Sequence, residues 1–170
     1  MECTLPLFPN SKISIQLFSN VTNAATILAA IKSIDPNYNF CFLDVRRICC
    51  LEQLLYAVMR AMRDIQDGQA RTKTVYSEIV YSLSPNQNIT EALQRFGVAG
   101  DSRALVCIAI DNVFDSGLVQ GESEEVTNEN FAKLCDLAKL KSTYKIDKKL
   151  EDIEEIKAQI ISSIALRGNL

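Results

Sequence analysis

Histidine is absent from the sequence. That absence removes Ser–His and Cys–His nucleophile pairs, imidazole acid–base catalysis and histidine-ligated zinc. Glycine is scarce as well: the six glycines, at 68, 97, 100, 117, 121 and 168, form neither a Walker loop nor a dinucleotide fingerprint. No apolar run approaches the length of a membrane span, and the opening MECTLPLFPN lacks the basic start and apolar core of a secretory signal. The expected location is cytoplasm and nucleus. There is no CxxC among the six cysteines, and adjacent Cys49 and Cys50 have poor zinc spacing. In a reducing compartment cysteines act mainly as small hydrophobes, and Cys41 and Cys107 sit inside apolar runs. With a net charge of −3 there is no large basic surface, so any RNA contact must be local.

What is present is an ordinary globular composition, 48% hydrophobic and 23% charged over 170 residues, which fits one domain spanning 1–170. Ile13 to Phe18 alternates and predicts a strand. Asn20 is expected to open a helix reaching Ser33, with Val21, Ala24, Ile27, Leu28 and Ile31 toward the core. Phe40 to Val45 predicts a second strand. Leu51, Leu54, Leu55, Val58, Met62 and Ile65 predict an amphipathic helix that stops before Gly68. Val75 to Leu83 is dense in branched and aromatic residues and reads as a strand, with Ser77 breaking the alternation.

After Ser84-Pro85-Asn86, a helix is expected with Asn88 as cap, Glu91 closing a capping box and Gly97 as a left-handed end. The sequons at Asn20 and Asn88 thus read as caps. Ala104 to Ile110 is apolar enough for a buried strand. The acidic stretch 111–130 reads as a long, mobile surface connection, without the alternating carboxylates of a calcium loop. Neither metal nor cofactor is expected. A helix over Asn130 to Leu137 and an extended piece over Ser142 to Ile146 precede a terminal helix from Asp147 to Leu166, with Gly168 beyond it.

Two groups of residues are candidate sites. Tyr56, Arg60 and Arg63 share one outer side of the second helix, and Arg71 and Lys73 follow in the next loop. These read either as a solvated face with cations near the helix C-terminus, or as a phosphate-binding patch with a ring for base stacking. The terminal helix carries Leu150, Ile153, Ile156, Ile160, Ile161 and Ile164. Most of that stripe reads as core, with a surplus near Ile160, Ile164 and Leu166 that would suit a partner's groove. Glu78 reads as a structural carboxylate paired with Arg71 or Lys73. The competing function is a small-molecule-binding protein or carboxylate-dependent enzyme using Glu78.

The run SEIVYSLSPNQNITEAL, followed by RFGV and a buried strand, closely resembles the PRPK-binding protein family, the kinase-binding subunit of the KEOPS (EKC) complex. The resemblance implies a single α+β domain, a two-layer sandwich of helices on one mixed or antiparallel sheet. It also implies a subunit with no catalysis of its own, serving the complex that makes threonylcarbamoyladenosine (t6A) in tRNA. Its expected partners are the small atypical kinase PRPK, through it the threonylcarbamoyl-transferase subunit, and tRNA held by its 3′ CCA end. Ile153, Ile156, Ile160, Ile164 and Leu166 then become candidate kinase contacts, and Tyr56, Arg60, Arg63, Arg71 and Lys73 candidate tRNA contacts.

Overall fold

Three strands are apolar on both faces because both faces are covered. The computed structural model describes residues 1–167; the expected stop at Gly168 lies outside them. Five strands, β1 (Glu2–Leu5), β2 (Phe8–Ser19), β3 (Cys41–Asp44), β4 (Leu105–Ile110) and β5 (Glu122–Glu124), form one antiparallel sheet of order β1-β2-β4-β3, with β5 also on β2. In register, Ile15 faces Ile108 and Leu17 faces Val106 across β2 and β4, while Cys41 and Leu43 meet the same two residues from β3. Those side chains point to one core. The alternate set, Phe18, Phe42, Leu105, Cys107 and Ala109, points to a second. Both cores follow from the two-residue period of a strand.

The larger core lies under six helices: α2 (Leu51–Gln66), α3 (Val75–Leu83), α4 (Ile89–Phe96), α5 (Asn128–Leu134), α6 (Leu137–Tyr144) and α7 (Ile153–Leu166). The smaller core is covered by α1 (Ala24–Lys32) and by Phe114 and Val119 from the connection that follows β4. A single α+β domain with helices layered on an antiparallel sheet is thus the observed architecture.

Val75–Leu83 is a helix, not the expected strand. Thr74 accepts from the Ser77 amide at 3.1 Å while Ser77 Oγ accepts from the Thr74 amide at 3.2 Å, a reciprocal cap that nucleates the first turn. The segment is buried from Glu78 to Leu83, so packing overrides the weak helix propensity of its β-branched residues. Ser77 was the clue: once it is skipped, Val75, Ile79 and Leu83 are spaced by four, the repeat of a helix face.

Ser142–Ile146 is likewise not extended, since α6 runs from Asp136, whose side chain accepts from the Lys139 amide, to a left-handed Lys145 at φ 55°. Asn20 does not cap α1; it sits at φ 50° and donates to Glu122, and the helix begins after Asn23, whose side chain holds the 118–120 backbone instead. The acidic connection is pinned by β5 and by buried Phe114 and Val119. The terminal helix begins at Ile153, capped by Asp152, later than expected.

The Asn88 cap is present, accepting from the Glu91 amide at 3.0 Å. The return bond is not: Glu91 accepts from Asn86 and pairs with Arg95, while the Asn88 amide donates to Asn86 Oδ1. Gly97 has φ −71°, so left-handed freedom is not its role. A Cβ there would lie 2.6 Å from the Leu93 carbonyl oxygen, which only glycine avoids. Gly68, by contrast, does take φ +69° after α2.

Candidate partner and nucleic-acid interface

Arg60 projects from α2 toward the last turn of α7. Its Nη1 donates to the Ile164 and Ala165 carbonyls, and its Nη2 donates to the Arg167 carbonyl at 2.7 Å. Asp64, one turn on, pairs with Nε at 3.4 Å. The last carbonyls of a helix have no intrahelical donors and carry partial negative charge, so a guanidinium placed over them caps the C-terminal end. Arg60 is therefore largely consumed in holding α7, a structural duty that neither reading of the cluster foresaw.

Arg167 completes the joint. Only 6% exposed, it lies 4.0 Å above the Tyr81 ring and donates through Nη1 to the Tyr81 and Ser84 carbonyls at the end of α3. Burial lowers its pKa, and the neighbouring Arg60 charge works in the same direction. Residue 167 lies just past the aliphatic run, where a basic residue near a helix end was the available signal.

Two clefts flank this joint. The first, about 220 Å³, runs between α2 and α7 and is lined in part by Tyr56, Arg60, Arg63, Asp64, Asp67 and Ala165. The second, about 290 Å³, is lined by Arg60, Asp64, Gln69, Arg71, Tyr81, Gln87 and Arg167. Tyr56, Arg63 and Arg71 are exposed, and each lines one of the clefts; exposed Lys73 lines neither. Four of the five proposed RNA residues thus surround a continuous region joined through Arg60, Asp64 and Gln69.

The terminal helix is placed differently from the surplus that its composition suggested. Ile156, Ile160 and Ile164 are buried in the larger core, at 1%, 0% and 1% exposure, and are not offered to a partner in this conformation. They belong to the side of α7 that packs against α2. Ile153 and Leu166, at opposite ends of α7, are exposed at 44% and 47%.

Glu78 faces inward from α3 and is fully buried. It pairs with neither the Arg71 nor the Lys73 side chain. Its Oε2 accepts from the Arg71 amide at 3.1 Å and from the Thr72 amide and hydroxyl at 2.9 and 2.6 Å, pinning the loop before the helix. It lines neither of the two clefts. Cys49 and Cys50 bury their sulfurs 3.7 Å apart, and among the described residues no group of three potential ligands could hold a metal ion.

The family model described as Kinase binding protein CGI-121 matches residues 18–168. The chain belongs to this family. An EKC/KEOPS complex subunit cgi121 of Schizosaccharomyces pombe is 37% identical over 172 residues, spanning 96% of this chain and 98% of its own. Subunits CGI121 of Yarrowia lipolytica and Candida glabrata are 34% and 32% identical, covering 94% and 99% of this chain and 95% and 99% of their own. The resemblance carried by the central SEIVYSLSPNQNITEAL run therefore extends over almost the whole chain.

Proposed function

We propose that the protein is a non-catalytic subunit of an EKC/KEOPS-type complex for t6A modification of tRNA. In this reading it binds and modulates a small atypical kinase of the PRPK type, through it meets the threonylcarbamoyl-transferase subunit, and helps seat tRNA by its 3′ CCA end. It works in cytoplasm and nucleus. The observation that carries the proposal is the full-length match to relatives named as subunits of that complex, within a family described as kinase-binding. The geometry supports it in two ways: the second, arginine-rich cleft gives RNA a local basic surface on an acidic protein, and Leu166 gives a partner an apolar contact at the end of α7.

The RNA assignment is tested by Arg71→Glu combined with Lys73→Glu. Both side chains are exposed, so the fold should survive, while tRNA binding should weaken at least tenfold and its salt dependence should flatten as phosphate contacts are lost. Equal affinity of wild type and variant across a salt series would refute that surface.

A further inference from the structure

The two clefts differ in charge, and the difference assigns them different jobs. Arg60 and Arg63 in the first are balanced by Asp64 and Asp67. The second sets three guanidiniums, Arg60, Arg71 and Arg167, against the single carboxylate of Asp64, which is already paired with Arg60. We infer that the second cleft is a seat for one phosphate group, monoester or diester, held chiefly by Arg71 and Arg167 with the Gln87 amide beside them. This deepens the RNA reading, on which it rests for the natural ligand, and it adds Arg167 and Gln87 to the residues involved.

Arg167 is preorganised for such a ligand. Both of its carbonyl bonds use Nη1, and stacking over Tyr81 fixes the plane of the guanidinium, so among the described residues Nε and Nη2 are left as a rigid pair of donors. A planar fork matches the spacing of two phosphate oxygens, and a side chain already fixed loses little entropy on binding. Burial at 6% exposure weakens competition from water. Arg71 supplies the mobile half: its amide is tied to Glu78, but its side chain is exposed and makes no ion pair among the described residues. Arg60 is spent on the α7 carbonyls, so it contributes charge and holds Arg167 in place without needing to touch the ligand.

The test uses the full chain and inorganic phosphate as probe. At constant ionic strength, saturating phosphate should raise Tm by about 3 °C relative to chloride, the shift expected of a weak ligand at roughly ten times its Kd. Arg71→Ala and Gln87→Glu, both at exposed positions, should each abolish the rise. Arg103→Ala, which removes an exposed cation outside the clefts, should keep it. An equal Tm in the two salts, or a rise that persists in both cleft variants, overturns the seat.

A single-stranded oligonucleotide without terminal phosphates then separates the sources: if it displaces phosphate the seat takes a diester, and if it does not the seat takes a free monoester. The two readings also fail separately. Loss of tRNA binding in the Arg71→Glu, Lys73→Glu variant with no phosphate effect in wild type would sink only the seat. A phosphate effect removed by Gln87→Glu alongside unchanged tRNA affinity in that double variant would sink only the RNA reading.

Discussion

Ile160→Asp is expected to leave no folded protein. Ile160 is fully buried between Ile156 and Ile164 on the inner side of α7, in the larger core where α7 packs against α2. The substitution removes about 2 kcal/mol of apolar burial and adds an unpaired carboxylate, which costs several kcal/mol more or forces protonation. The total is comparable with the whole stability of an ordinary domain, roughly 5–15 kcal/mol. Urea denaturation followed by circular dichroism reads the outcome, and a cooperative transition within about 1 kcal/mol of wild type would contradict the buried placement. Leu166→Asp is the informative contrast. Nearly half exposed, it should change stability by less than about 1 kcal/mol while lowering capture of the atypical kinase severalfold. If Leu166→Asp leaves capture unchanged in a folded protein, the end of α7 is not the kinase contact.

Glu78→Ala should be the most damaging loss of a polar group, about 3 kcal/mol. The carboxylate satisfies two backbone amides and one hydroxyl at the start of α3, and alanine leaves those donors facing a cavity. Hydrogen exchange localises the effect: the Arg71 and Thr72 amides should lose protection far more than the sheet amides. Glu78→Gln should cost less, because its amide oxygen can take the Oε2 position while its NH2 group falls where Oε1 has no partner. Unchanged protection at residues 71 and 72 in the alanine variant would show that Glu78 does not hold the loop.

The elements legible in the sequence were those whose signal is local. β2, β3 and β4 announced themselves by alternation or by short apolar runs, α2 by its stripe and Gly68, and α4 by Asn88 and Glu91. Val75–Leu83 reads as a strand because β-branched residues carry the same composition signal in a strand and in a buried helix, and only the Thr74–Ser77 cap and the four-residue spacing of Val75, Ile79 and Leu83 separate the two. The sites were harder for a related reason. Arg60 and Ile164 are far apart in sequence, so nothing near either residue says that one caps the other's helix. The isoleucines of α7 looked surplus because what they cover depends on how the helices pack against one another, which is a property of the assembled layer.

The pairing of β2 with β4 also governs how the protein must fold. Ile13 finds its partner in Ile110, and β3 reaches the sheet only through β4, at Ile108 to Leu105. Until β4 is available, β1 and β2 form at best an isolated hairpin, and such two-stranded ribbons are marginal in water. The α2 and α3 helices can form earlier but have no sheet to cover. High contact order of this kind slows folding, because the entropy of closing a long loop precedes any gain from the contacts it brings. During synthesis the apolar faces of α2 and α3 thus wait, unburied, for residues 105–110, which makes the interval before β4 emerges the period of greatest exposure to aggregation and to chaperones.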